Sequence, residues 1–387
     1  MQIYHTKDNE DIYSVARDLG VSPMKISEDN ELTTNTPLPC GRELLIIQPT
    51  RTYNVRSDDT IDIISRKFGV SKETLKRMNP ELKGCERLYP GQLLTIRNEG
   101  STGGMISTNG YFYRGCTKER LSRIMPYLSY VTICSAVYKS GKIHNTFSPT
   151  EIIAEVKVCG RIPLLRIYLT EMPRHEEVQE FVHSAVVLAK SCGFEGITLS
   201  SLGTMNADAS QRAELILNLR KSLMEADAIL FAEGDAECDF EYMEYANSGI
   251  LTYDKLHKKD IPSFDEGEAL VMRNFAETTE SSRAFIDLAC FAYAGNKYID
   301  KSEAIRITDR RRGELEFDRD KKIITARYGR GKKHEIIYES LENTKAKLGL
   351  VGELGFLGIS FDISRLCLAD LMIASTIFEI VNHPMLI

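Results

Sequence analysis

The chain has 387 residues, too many for one ordinary hydrophobic core, so two or three domains are expected. Hydrophobic residues make up 43% and charged residues 27%, the balance of a globular protein. A formal charge of -6 excludes whole-chain attraction to nucleic acid, and no stretch reaches the ~18 uninterrupted apolar residues of a membrane span, so neither nucleic acid nor membrane is an expected partner.

The first residues, Met1 to Tyr13, are polar and acidic where an export leader has a basic start and an apolar run. Synthesis in the cytoplasm without a signal peptide is the expectation. The chain then repeats itself. Tyr4 recurs as Tyr53, Ile12 as Ile61, Gly20-Val21-Ser22 as Gly69-Val70-Ser71 and Asn30 as Asn79, always at an offset of 49. Cys40-Gly41-Arg42 answers Pro90-Gly91-Gln92 with one residue inserted. Each unit reads strand, helix, helix, strand. In the second, 52–55 is a short strand and Ser57-Asp58-Asp59-Thr60 a turn rich in capping residues. Ile61, Ile64 and Phe68 follow at helical spacing until Gly69 stops the helix, Ser71 caps a second helix, and 93–96 returns as a strand.

Beyond Asn98, a Gly/Ser-rich stretch reads as a short flexible linker over 99–107. Apolar runs near 106–112, 128–135, 162–169, 196–201, 227–232, 248–252, 285–291 and 357–361 are predicted strands. Helices are predicted near 117–125, 150–158, 175–192, 207–225, 239–246, 264–280, 340–354 and 364–380. Eight strand–helix units imply an α/β chain with a C-terminal (β/α)8 TIM barrel over 108–387. The segment 296–338 breaks the rhythm: 314–317, 323–328 and 335–338 alternate like antiparallel strands, a small β-rich insertion. It is locally basic through Arg310-Arg311-Arg312, Lys321-Lys322 and Lys332-Lys333, as a solvated face or as a contact for an anionic wall polymer.

Nine cysteines, Cys40, Cys85, Cys116, Cys134, Cys159, Cys192, Cys238, Cys290 and Cys367, form no C-x-x-C and sit mostly in apolar stretches. Free thiols are expected rather than disulfides or metal ligands, and neither metal nor cofactor is expected. The chain has no tryptophan.

The repeat resembles the LysM family, as two small βααβ modules over 1–49 and 50–98. The residues that carry the resemblance are Tyr53, Asp59-Thr60-Ile61, Asn79-Pro80 and Pro90-Gly91-Gln92-Leu93, with a looser first copy in Asn9-Glu10-Asp11-Ile12 and Asn30-Glu31-Leu32. LysM modules bind N-acetylglucosamine polymers, peptidoglycan or chitin. The resemblance places the groove at Asp59, Thr60, Ile61, Asn79, Pro80 and Leu82, and in the first copy at Glu10, Asp11, Ile12, Asn30 and Leu32. Ile61 and Leu82 read equally well as core.

A second resemblance covers the barrel. Asn109-Gly110-Tyr111, the run from Leu121 to Ile133, Gly193-Phe194-Glu195-Gly196-Ile197-Thr198-Leu199, Leu251-Thr252-Tyr253-Asp254 and Gly355-Phe356-Leu357-Gly358-Ile359-Ser360-Phe361 resemble glycoside hydrolase family 18. The domain order is similar to that of spore cortex-lytic N-acetylglucosaminidases. That family carries a D-x-E pair at the end of the fourth strand: the glutamic acid protonates the glycosidic oxygen, and the aspartate orients the substrate acetamide that attacks the anomeric carbon. This sequence has Ser200 and Leu202 there, so the resemblance implies a degenerate hydrolase. Tyr253 matches the family tyrosine that contacts the acetamide. Glu233, Asp254 and Asp362 fall at predicted C-terminal strand ends and are the candidates for a displaced acid or a glycan groove. The expected protein is a glycan-binding, cell-wall or spore-associated pseudoenzyme that partners peptidoglycan and spore coat or cortex proteins and is deposited from the mother cell. Its rivals are an active N-acetylglucosaminidase and a purely structural spore scaffold.

Overall fold

The computed structural model describes residues 1–82, 87–98, 103–202, 208–235, 241–252, 261–288, 290–329 and 334–384. The first N-terminal module pairs strand Gln2–His5 antiparallel with Glu43–Ile46, around helices Ile12–Leu19 and Pro23–Asp29. The second pairs Pro49–Asn54 with Leu93–Asn98 around helices Ile61–Phe68 and Lys72–Met78. Gly20 and Gly69 end the first helix of each module in the left-handed region, at φ +67° and +64°, where a glycine is least strained.

Eight parallel strands follow: β1 (Met105–Phe112), β2 (Tyr130–Lys139), β3 (Ile162–Leu169), β4 (Gly196–Ser200), β5 (Ile229–Asp235), β6 (Ser248–Thr252), β7 (Ala284–Asp287) and β8 (Gly358–Asp362). Each pairs with the next, and β8 pairs with β1, closing the barrel. Period-two alternation sorts their side chains. Tyr130, Leu164, Phe231, Ile250 and Phe285 fill the lumen, while Ile197, Leu199 and Phe361 face the surrounding helices.

Three features depart from the expected pattern. β1 begins at Met105, inside the stretch read as linker, and the Gly103 N–H donates to the Ile377 carbonyl. β7 ends at Asp287 rather than near 291, and the chain turns there into strand Ala292–Ala294 of the insertion. The insertion is a five-stranded antiparallel sheet, as its alternation suggests, but it also holds helix Lys301–Arg311. That helix escapes hydrophobic periodicity because its buried face consists of Lys301, Ala304, Thr308 and Asp309.

The N-terminal modules are docked on the barrel. In strand Glu43–Ile46 alternation serves two cores: Leu44 and Ile46 fill the first module, while Leu45 and the following Ile47 belong to the barrel core. Gly41, at φ +82°, allows the Leu315 side chain of the insertion to approach within 3.3 Å of where a Cβ would stand. Polar contacts complete the junction. Buried Arg42 pairs with Asp309 at 3.0 Å, and the Glu43 carboxylate accepts the Leu341 N–H at 2.7 Å. Glu31 pairs with Arg120 at 2.7 Å and accepts the Leu368 N–H at 2.8 Å. From the second module, Arg77 donates to the Pro126 carbonyl at 2.8 Å and to Asn382 at 2.6 Å.

Candidate functional site

The repeated turns are built alike. The Glu10 carboxylate accepts from the Tyr4 hydroxyl at 2.7 Å and the Lys7 N–H at 2.8 Å. Asp59 accepts from the Tyr53 hydroxyl at 2.8 Å and the Arg56 N–H at 2.7 Å. The Arg56 N–H and the Tyr53 hydroxyl hold the Asp59 carboxyl below its usual range. Asp11 and Thr60 cap their helices, accepting the Ser14 N–H at 2.7 Å and the Ile63 N–H at 3.2 Å.

Asn30 and Asn79 occupy a different place from the groove expected of them. Both are buried. Asn30 donates to the Ile26 and Leu45 carbonyls and accepts the Leu45 N–H. Asn79 makes the same three bonds with Leu75 and Thr95. These carboxamides stitch the second helix to the last strand, with their bonding used inside the module. Ile12, Ile61 and Leu82 belong to the module cores, Leu32 packs half-buried against the first of them, and Pro80 is buried. The accessible rim is left to Asp11 and Thr60, with Glu10 and Asp59 half-buried beside them.

The barrel mouth is the second concentration of polar groups. Ser200 points into the lumen as alternation requires, but it is fully buried and, among the described residues, its hydroxyl reaches only the Ile167 carbonyl, at 3.4 Å. Leu202, after Ser201 at φ +68°, is fully buried in the barrel–helix core. One layer deeper, Thr198, Thr132, Asn109 and Ser360 form a chain of neutral hydrogen bonds. The end of β4 therefore offers no acid.

Carboxylates stand instead on β5, β7 and β8. Glu233 is buried and gripped by Arg166 of β3, whose Nε and Nη2 donate to its two oxygens at 2.9 Å each, while the Tyr111 hydroxyl of β1 donates at 2.8 Å. In this arrangement both Glu233 oxygens serve as acceptors, as in a forked arginine–carboxylate pair. The Arg166 guanidinium lies over the rings of Tyr111, Tyr113 and Tyr168 at 5.4, 5.9 and 5.6 Å. Tyr113 and Tyr168 remain 37% and 42% exposed, so the mouth keeps aromatic surface although the chain has no tryptophan. Asp362 is engaged too, accepting from the Ser364 N–H and hydroxyl and pairing with Arg365 at 3.1 Å. Tyr253 and Asp254 lie outside the described residues.

Asp287 was not among the sequence candidates. It follows the inward-facing Phe285 by two positions at the end of β7 and so faces the mouth. Burial, then the nearby Glu233 carboxylate, push its carboxyl up to about 7. It is half-buried and accepts no hydrogen bond among the described residues, so it is the group there able to carry a proton near neutrality.

The family model for the LysM domain matches residues 4–46 and 53–97. The chain carries two LysM domains. Comparison with curated protein sequences returns no match. Among solved structures, the chain is similar to the spore cortex-lytic enzyme SleL of Bacillus megaterium QM B1551, at 19% identity and TM-score 0.76, over 98% of this chain and 99% of that one. SleL of Bacillus cereus is similar at 18% identity and TM-score 0.75, over 99% of both chains. A chitinase from Chromobacterium violaceum ATCC 12472 matches 70% of this chain and 98% of its own, at 14% identity and TM-score 0.61. The LysM domains and the closed barrel thus share the fold and domain order of the cortex-lytic enzymes, and the barrel shares the fold of chitinases.

Proposed function

We propose that this protein binds N-acetylglucosamine-containing cell-wall glycan through its LysM domains, and that its barrel holds glycan without hydrolysing it. Ser200 and Leu202 carry this reading: at the end of β4 a buried hydroxyl and a core leucine stand where an acid pair would act. Without a general acid the leaving oxygen must depart unprotonated, a loss of ~10²–10⁴-fold in rate. Tyr113 and Tyr168 supply stacking surface for sugar rings. In this proposal the protein is made in the mother cell, is deposited on the forming spore and meets coat or cortex proteins there. Full-length protein is expected to sediment with insoluble peptidoglycan. Asp59→Ala combined with Thr60→Ala should weaken that binding about fivefold, because one change cuts the turn from Tyr53 and the other removes a helix cap worth ~1 kcal/mol. Unchanged sedimentation of the variant would count against the turn.

Asp287 favours a second reading, hydrolysis with the acid displaced to β7. On that reading the wild type turns over N-acetylglucosamine oligomers, and Asp287→Asn lowers the rate ~10²–10⁴-fold. The first reading predicts no hydrolysis above background from either protein, so a reducing-end assay on the pair separates the two.

A further inference from the structure

The two LysM domains carry opposite charge. The first has eight acidic and four basic residues over 1–49, the second six acidic and ten basic over 50–98. The reversal falls at matched places beside the repeated turn. At the offset of 49, Gln2 and Asp18 of the first domain become Arg51 and Lys67 of the second. In the first domain the Glu10 carboxylate raises the Tyr4 hydroxyl to about 12, with burial and the Asp18 charge adding smaller pushes. In the second, the Lys67 ammonium donates to the Tyr53 hydroxyl at 3.0 Å and stands 4.3 Å from the centre of its ring. The Arg51 guanidinium lies 4.6 Å from the centre of the Phe68 ring.

The neighbouring charges keep the same signs in surplus. Around the first turn, Asp8, Glu10, Asp11 and Asp18 outnumber Lys7 and Arg17, the latter paired with Asp18 at 3.3 Å. Arg312 and Glu314 of the insertion border this turn and offset each other. Around the second turn, Arg51, Arg56, Arg66, Lys67 and Lys72 outnumber Asp58, Asp59 and Asp62. Asp62 is paired with Lys72 at 2.5 Å, and exposed Arg97 adds to the surplus from the place opposite Arg51 in the strand register. Each patch also presents an apolar side chain on its first helix, Tyr13 at 54% exposure and Ile63 at 41%. Among the described residues no ion pair joins the two patches, and each domain is fixed to the barrel by a buried arginine of its own, Arg42 or Arg77.

We propose that this protein self-associates head to tail, the acidic patch of the first LysM domain of one copy seated on the basic patch of the second LysM domain of the next. The complement of each patch exists on the same chain but is not engaged within it, so a second copy always supplies it. Complementary charge speeds encounter and fixes the register of such a contact, and the exposed tyrosine and isoleucine give it an apolar centre. Lys67 and Arg51 are already held over aromatic rings, so less side-chain freedom is lost on docking. Because the two patches differ, the contact is heterologous: each copy keeps one free patch, and copies add in a row unless the rotation between them closes a ring.

Sedimentation velocity of the full-length protein, without glycan, tests this. At low salt the average mass should rise with concentration above that of one chain, and ~1 M salt, which screens charges beyond about 3 Å, should return it to one chain. Two variants reverse one patch each: Asp8→Lys with Asp18→Lys, and Arg51→Glu with Lys67→Glu. Either alone faces like charge with like and should associate about tenfold more weakly or worse. Mixed in equal amounts they should associate again, because the new basic patch meets the new acidic one and the two native patches meet each other. Where a reversal unfolds the chain, Asp18→Asn and Lys67→Gln carry the comparison, each with a smaller loss. A wild type that stays a single chain at low salt, a variant that associates as the wild type does, or a mixture of folded variants that remains single overturns the proposal. A single-chain wild type that binds linear polyphosphate through Arg51 and Lys67 would overturn it too, and would assign the basic patch to an anionic polymer.

Discussion

Lys347→Met should destabilise the protein by about 3–5 kcal/mol, the usual result of removing one partner from a buried ionic cluster. The Lys347 ammonium lies 2.7 Å from Glu268 and 3.1 Å from Glu339, and all three side chains are buried. Helix Leu341–Glu353, which carries it, packs against the barrel just after the insertion rejoins it. Methionine keeps the length of the side chain and leaves two buried carboxylates facing each other. Burial, opposed by Lys347, already raises the Glu339 carboxyl to about 8. A carboxyl raised in the folded state costs stability as pH rises from its unfolded value toward that folded value, and the cost is absent in acid. The Lys347 ammonium has the opposite setting. Burial lowers it, but Glu268 and then Glu339 hold it well above its ordinary value, so its contribution persists through neutral pH. Without Lys347 that carboxyl is pushed higher still, so the variant should be weakest in alkali and recover as pH falls and Glu339 takes up a proton. Urea unfolding at pH 6 and pH 9 measures both effects. A loss below about 1 kcal/mol, or a loss that does not change with pH, would show that the cluster relaxes around the missing charge.

The legible and illegible parts of the molecule differ for physical reasons. An offset of 49 reveals the LysM repeat because both copies need the same turn, cap and stop. The same logic misleads about Asn30 and Asn79. A residue repeats when the fold needs it as readily as when the ligand does, and here the amide clamps a strand. Apolar runs mark the barrel strands well, but their ends are soft. A seventh strand read over 285–291 puts Asp287 near its beginning, away from the catalytic face. The strand that forms ends at Asp287 and delivers it to the mouth. The Glu233 grip was beyond any local pattern, since Arg166 and Tyr111 lie 67 and 122 positions away. Docking of the LysM domains was written in Leu45 and Ile47, apolar on the face that the first module's own core does not use.

Reinstating an acid pair on β4, as Ser200→Asp with Leu202→Glu, should produce an unstable and inactive protein rather than a hydrolase. The two positions differ in what surrounds them. Ser200 faces the lumen among neutral hydroxyls, and its neighbour across the strand is Tyr168. An aspartate there loses water and has Glu233 nearby, whose fork with Arg166 already uses that guanidinium. Leu202 is harder to replace. It is fully exposed to apolar neighbours and not to solvent, within the core that joins the barrel to its helices. A carboxyl in that place either ionises, at a cost of several kcal/mol, or stays protonated and lacks a partner, at a cost of about 1–3 kcal/mol. Neither state points a proton into the mouth. Activity needs the acid within about 0.5 Å of its productive position, which a side chain anchored in the helix-facing core does not reach. The expected result is a melting temperature lowered by several degrees in Leu202→Glu and in the double variant, a smaller loss in Ser200→Asp, and no release of reducing ends from N-acetylglucosamine oligomers by any of them. A double variant that hydrolyses oligomers while both single variants stay silent would mean that the segment from Ser200 to Leu202 can rearrange toward the lumen, and that only two side chains separate this barrel from a working glycosidase.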